Sequence, residues 1–198
     1  MDPFDDPGGL DDTGVLRVRH GVERRILSAF RAYGADPRVG AAARALSLAG
    51  EHGALWLAAG FAGAAVDGAR RGAWLRGTAL TAGAHAVSMG VKRVVRRPRP
   101  AHVEPLVRTA GHYSFPSSHA TSAAAAAMAF GALGACGAGR GRLPAARAAR
   151  LLPPLAVAMC LSRLVVGVHY PSDVAAGVAL GALTARFGAR WMRGGAHD

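Results

Sequence analysis

Three short segments of the 198-residue chain carry side chains suited to handling phosphate: Lys92 to Pro100 (KRVVRRPRP), Phe115 to His119 (FPSSH) and Ser162 to Asp173 (SRLVVGVHYPSD). They offer three fixed cations (Lys92, Arg99 and Arg163), the hydroxyls of Ser117 and Ser118, two histidines and a carboxylate. Guanidinium groups bind phosphate oxygens in pairs, lysine adds a point charge, and the free N–H groups of a helix N-terminus complete an anion cradle. Pro116-Ser117 reads as a helix start with Ser117 as the N-cap, and Tyr170-Pro171 opens another, so two positive dipole ends would face one pocket. His169 and Asp173 stand four positions apart. On a continuing helix they share a face, and the carboxylate can hold one ring nitrogen while the other stays free to attack. A histidine that attacks phosphorus forms a phosphohistidine and splits a difficult hydrolysis into two displacements. His119 is then the candidate general acid for the leaving oxygen, and the cations would hold the charge of the five-coordinate transition state.

The elements that position these segments are apolar. Five tracts, at roughly 52–66, 77–91, 119–139, 151–168 and 172–190, begin or end at the chemistry-bearing segments or in basic loops. With 51% hydrophobic and 18% charged residues the chain is one folded domain and no disordered tail, the first dozen or so residues aside. Its 24 Lys and Arg against 12 Asp and Glu give a net charge of +12, yet the basic residues fall between hydrophobic runs instead of along one polar face, which favours a membrane over nucleic acid. The tracts are rich in Ala, Gly, Ser and Thr: weak in hydropathy, but suited to close helix–helix approach in lipid. The competing architecture, a soluble helical bundle, calls for regular charged faces, whereas Ala120 to Gly139 holds no charge at all. Cys136 and Cys160 fit no metal-ligand spacing and are too few for a disulfide framework. The opening MDPFDDPGGLDD is acidic where a signal peptide starts basic, so nothing there is expected to be cleaved.

Ahead of the first tract, Val22, Ile26, Ala29, Phe30 and Tyr33 recur at helical spacing with Arg24, Arg25 and Arg31 on other faces, the pattern of an amphipathic interfacial helix; 38–47 repeats it more weakly. The expected division is an acidic, flexible tail over 1–21, an amphipathic segment over 22–49, a membrane domain over 50–192 and a tail over 193–198. Arg70, Arg71 and Arg76, then Arg140, Arg142, Arg147 and Arg150, then Arg186, Arg190 and Arg193 share one side, which short basic loops keep cytoplasmic. Residues 92–118 and the turn near 169–171 then fall on the extracytoplasmic face, where their own basic cluster is explained by anion binding.

The residues Lys-x6-Arg-Pro (Lys92, Arg99, Pro100), Pro-Ser-x-His (Pro116, Ser117, His119) and Ser-Arg-x5-His-x3-Asp (Ser162, Arg163, His169, Asp173) resemble the three-part signature of the type 2 phosphatidic acid phosphatase superfamily, relatives of vanadium haloperoxidases and bacterial acid phosphatases. The resemblance covers about 50–190 and implies an all-α, polytopic membrane helix bundle of about five transmembrane helices plus the amphipathic one. It implies a phosphatase of lipid phosphates that uses no metal or other cofactor, with His169 as nucleophile, Asp173 as its orienting partner and His119 as general acid. Lys92, Arg99, Ser117, Ser118 and Arg163 match the phosphate-binding positions, with one departure: the family usually has Gly where this chain has Ser118. The short lead-in and five crossings are similar to small bacterial members that dephosphorylate polyprenyl carriers outside the cytoplasmic membrane. The Gly50 to Trp56 stretch (GEHGALW) is similar, much less specifically, to actinobacterial enzymes acting on decaprenylphosphoryl phosphoribose. The expected partner is a membrane lipid phosphate entering between helices, with no nucleic acid. A phosphotransferase on the same site and a catalytically silent lipid-binding protein are the alternatives.

Plainer readings apply elsewhere. His85 reads as a hydrogen-bonded packing residue, and Arg93, Arg96 and Arg97 as surface charge near anionic lipid. His102 and His112 read as solvated loop residues; His20, His52 and His197 carry no assigned role. Trp56, Trp74 and Trp191, near tract ends, read as interface anchors.

Overall fold

The computed structural model describes residues 12–109, 111–135 and 143–193. Among them the fold is all helical: α1 (Asp12–Tyr33), α2 (Pro37–Ala49), α3 (Ala54–Val66), α4 (Arg71–Val95), α5 (Ser118–Ala135), α6 (Leu143–Val165) and α7 (Pro171–Arg193), with single 3-10 turns at Glu51–Gly53 and Gly68–Arg70. The five tracts correspond to α3 through α7, and α1 begins at Asp12, ahead of the Val22 from which an amphipathic segment is expected. Cys136, Arg140, Arg142 and His197, and residues 1–11 of the N-terminal tail, lie outside the described residues.

Local chemistry explains several boundaries. Asp36 caps α2, its carboxylate accepting from the N–H groups of Arg38 (2.8 Å) and Val39 (3.2 Å), and Pro37 occupies the first helical position, where a missing N–H costs nothing. α5 starts after Ser117, whose hydroxyl accepts from the Ala120 N–H at 3.4 Å, as the capping expectation requires. Arg96 ends α4 in the left-handed region at φ 52°, a position that glycine usually fills.

Helix α5 is the centre of the bundle, packed against α4, α6 and α7. Its alanines make this possible: Ala120, Ala123, Ala125 and Ala126 are fully buried. Glycines on α7 face it so closely that a methyl group at Gly181 would lie 2.2 Å from the Thr121 carbonyl oxygen, and one at Gly177 would lie 2.5 Å from that of Ser117. Gly181→Ala should therefore cost about 1–3 kcal/mol by overpacking. Gly83→Ala on α4, where nothing lies within 4 Å, should cost nothing. Thermal unfolding of the detergent-solubilised variants checks the pair; equal melting temperatures would remove the close α5–α7 contact from the account.

Two tryptophans expected at the membrane interface instead fill the core. Trp56 and Trp74 are buried among Phe130, Met159 and Met192, with the Trp74 ring 5.3 Å from that of Phe130. The Trp74 indole N–H donates to Asp67 Oδ2 (3.2 Å), which also accepts from Arg70 Nε (2.7 Å). A flanking carboxylate thus satisfies a polar tip that tract-end position alone assigned to lipid. Trp191 is exposed.

No helix among the described residues is long and apolar enough to cross a membrane. α3 has 13 residues, and α4, α6 and α7 carry arginines within their length, while α5 draws its hydropathy mainly from alanine. The helices do present large apolar side chains outward, among them Phe61, Val66, Val94, Leu151, Val157 and Phe187.

Candidate active site

The C-termini of α4 and α6 and the N-termini of α5 and α7 meet at one end of the bundle, and that convergence assembles all three segments. The starts of α5 and α7 are tied directly, the Ser117 N–H donating to the Asp173 carbonyl at 2.9 Å. Both helix N-termini therefore open on the same place.

Each sequence-derived site residue lies here. Lys92, at the end of α4, is buried and held by two carbonyls, Ser114 O (3.1 Å) and Pro116 O (2.6 Å), which leaves one of its three N–H groups uncommitted. Arg99, in the α4–α5 loop, donates through Nε to Gly111 O (2.8 Å) and through Nη1 to Val168 O (2.9 Å). Arg163, at the end of α6 and 2% exposed, donates to the Ser47 hydroxyl and keeps a buried Nε without a partner. A buried guanidinium N–H with nothing to bond is costly unless a ligand supplies the acceptor.

His169 is 2% exposed and lies in the turn before α7, not on a continuing helix as the four-residue spacing suggested. Asp173 reaches back from the first turn of α7: its Oδ2 accepts the Tyr170 N–H at 2.8 Å and sits 3.6 Å from His169 Nδ1. The carboxylate thus caps the turn and faces the imidazole. At 3.6 Å the His169–Asp173 contact is electrostatic, longer than a hydrogen bond. On the other side of the ring Nε2 lies 3.5 Å from Arg99 Nη1. A guanidinium only donates, so the nitrogen facing it is the unprotonated one and the ring proton lies on Nδ1, toward Asp173. The free lone pair therefore points where a phosphate held by Arg99 would sit.

Burial pushes the His169 imidazole down to about 3; Asp173 opposes this, and Arg163, Arg99 and Lys92 add to it. The His169 ring is neutral at physiological pH. The same shift sets a stability dependence. An unfolded imidazole titrates near 6.5, so between pH 6.5 and 3 the unfolded chain binds a proton that the folded one refuses, and stability falls as pH falls. By pH 5 the loss should reach about 2 kcal/mol. His169→Gln should lack that component, which thermal melts from pH 7 to 5 can read.

His119, on the first turn of α5, places Nε2 3.0 Å from the Ser47 carbonyl oxygen. A carbonyl only accepts, so Nε2 carries a proton in this arrangement. Ser118 starts α5 with ordinary backbone: the only non-glycine residues at positive φ among the described residues are His52 and Arg96. The departure from glycine at this position therefore introduces no backbone strain.

Sequence reasoning missed three contributors. Ser47, from the end of α2, touches both Arg163 and His119. Arg97 is no surface charge: its guanidinium pairs with Asp173 Oδ1 at 2.8 Å and with Glu23 Oε2 at 2.7 Å. Glu23, on α1, belongs to an element read only for its amphipathic face. A signal for Arg97 lay in its position two residues before Arg99, within the same loop. His85 is bonded to the Ser122 hydroxyl at 2.9 Å, as the packing expectation has it. A cavity of about 310 Å³, lined by His20, Arg24, Arg97, Pro98 and Tyr170, adjoins the site. Among the described residues no group of three or more His, Cys, Asp or Glu is gathered as for a metal ion.

A neutral, oriented histidine beside an arginine-rich anion pocket at paired helix N-termini defines a phosphoryl-transfer site, and the chain belongs to the PAP2 superfamily, which it matches over residues 73–195. It is a phosphatase, hydrolysing phosphate esters. Similar proteins include the decaprenylphosphoryl-5-phosphoribose phosphatase of Mycolicibacterium smegmatis, 44% identical over 159 residues, 79% of this chain and 81% of the relative. The protein of the same name from Mycobacterium tuberculosis is 47% identical over 149 residues, 74% of this chain and 76% of the relative. The fold matches the crystal structure of a transmembrane PAP2 type phosphatidylglycerolphosphate phosphatase from Bacillus subtilis with a TM-score of 0.73 at 20% identity, covering 91% of this chain and 89% of that one.

Proposed function

We propose that the protein is a multi-pass membrane phosphatase that removes a phosphomonoester from a lipid-linked substrate, a polyprenyl phosphosugar being the best candidate, through a covalent phosphohistidine and without a metal. The observation that carries the reading is His169: deprotonated Nε2 toward Arg99, Nδ1 toward Asp173, Arg163 and Lys92 beside it. Nε2 of His169 attacks phosphorus, and the bond to the leaving oxygen breaks as His119, protonated to imidazolium beside the bound phosphate, gives that oxygen one proton and is left neutral. Water then attacks the phosphorus, His119 recovers a proton from it, the P–N bond breaks, and inorganic phosphate leaves. Lys92, Arg99, Arg163 and the N-terminal amides around Ser117 and Ser118 hold the equatorial oxygens throughout.

The substrate class follows from the names of the relatives, which are similar to this chain over most of its length. The cavity beside Tyr170, with His20 and Arg24 on its wall, gives room and charge for a head group. A membrane setting is supported by the outward apolar side chains of α3, α4, α6 and α7, and by Val22, Ile26 and Tyr33, which α1 leaves exposed. Close α5–α7 packing through glycine suits a bundle in lipid, where small residues let backbones approach. The site end is read as extracytoplasmic. At the opposite end Arg76 donates to Met192 O (3.1 and 3.2 Å), joining two of the basic regions read as cytoplasmic.

The test is phosphate release by detergent-purified protein, with EDTA present, from phosphatidate, phosphatidylglycerol phosphate, a polyprenyl pyrophosphate and a polyprenyl phosphosugar phosphate. Fastest release from the last supports the reading; no release from any lipid, or release abolished by EDTA, removes it. Recovery of the protein in the carbonate-washed membrane fraction is the accompanying expectation.

A further inference from the structure

Arg97 lies outside the residues so far given a chemical role, yet its partners connect the N-terminal helix to the nucleophile. Nη1 donates to Asp173 Oδ1 (2.8 Å) and to the Ser172 hydroxyl (2.6 Å), and Nη2 donates to Glu23 Oε2 (2.7 Å). The guanidinium carbon stands 4.2 Å over the Tyr170 ring. Glu23 Oε1 accepts the Ser172 N–H at 3.1 Å, so the α1 carboxylate also satisfies the N-terminus of α7. The Glu23 and Arg97 side chains are 16% and 22% exposed, and Asp173 is fully buried.

The two oxygens of Asp173 thus have separate duties. Oδ1 belongs to Arg97, while Oδ2 holds the Tyr170 N–H and faces His169. Arg97 alone would cancel the negative charge that a phosphorylated, cationic imidazole needs beside it. Glu23 restores it, because a cation between two carboxylates leaves a net charge of −1 next to the ring. The other ionisable groups facing His169 are Arg163 from α6, Lys92 from α4, Arg99 from the α4–α5 loop and His119 from α5, cationic or neutral, so Asp173 supplies the negative charge there. Burial raises the Glu23 carboxyl, but its bonds to Ser172 and Arg97 outweigh that and hold it ionised.

We propose that Glu23 and Arg97 are positioning residues of the phosphatase: Arg97 fixes the Asp173 carboxylate toward His169, and Glu23, acting through Arg97, keeps that carboxylate effectively negative. The proposal rests on the phosphohistidine reading above. Full-length wild type, Glu23→Gln, Arg97→Gln, the double variant and Glu23→Asp are compared on p-nitrophenyl phosphate, whose leaving group needs no acid, so that a loss is not one of proton delivery to it.

Glu23→Gln should lower kcat about tenfold with KM within about twofold. In the Arg97→Gln background the same change should have no further effect, and Glu23→Asp, which keeps the charge, should recover kcat above the glutamine variant. A Glu23→Gln effect confined to KM, a kcat within about twofold of wild type, or a loss as large with Arg97 absent as with it present would overturn the proposal. If a glutamine variant loses its cooperative melt, Glu23→Asp against wild type decides: kcat retained supports it, kcat lost overturns it. An inactive wild type, or a fully active His169→Ala, would instead remove the phosphohistidine reading and the proposal with it.

Discussion

His169→Ala should abolish turnover, lowering kcat by more than about 10⁴-fold on every phosphate ester. The reason is geometric. The His169 ring is held between Arg99 at 3.5 Å and Asp173 at 3.6 Å, so its free lone pair is aimed at the anion pocket. His119 cannot substitute, because its Nε2 faces the Ser47 carbonyl and presents no lone pair there. Rapid acid-free quenching of wild type with a radiolabelled substrate should trap an acid-labile, base-stable phosphoenzyme, and the alanine variant should trap none. Residual turnover within about 100-fold of wild type would move the nucleophile to water and leave His169 as a base.

His119→Gln should lower kcat/KM, which reports only the half-reaction that expels the leaving group, by about 10²–10⁴-fold on an alkyl or sugar phosphate and far less on p-nitrophenyl phosphate. Breaking an alkyl ester expels an alkoxide unless a proton arrives as the bond breaks, whereas p-nitrophenolate leaves without one. Glutamine places an amide donor near the imidazole Nε2 position, so the bond to the Ser47 carbonyl is kept and the measured loss reports proton transfer. Equal losses on both substrates would assign His119 to binding.

The chemistry was legible because each motif is local. Lys92 with Arg99, Ser117 with His119, and Arg163 with His169 and Asp173 are fixed relative to one another by short stretches of chain that end or begin helices, and helix ends are written in Pro, Ser and Gly. The same locality marked the N-cap at Ser117 and the five tracts that became α3 to α7. It misled where a residue's fate depends on a distant partner. Trp56 and Trp74 read as lipid-facing because tract-end position says nothing of Asp67 or Phe130 across the bundle.

What the sequence by itself determined, then, is the set of reacting groups and the helical elements that carry them, since residue type and short spacing are properties of the chain. The tertiary structure alone decided which charges meet. Glu23 lies 74 positions from Arg97, and Arg97 lies 76 from Asp173, yet all three share one hydrogen-bonded cluster. Electrostatic energy falls with distance in space, not along the chain, and only the packing of α1 against α7 brings those carboxylates to one guanidinium.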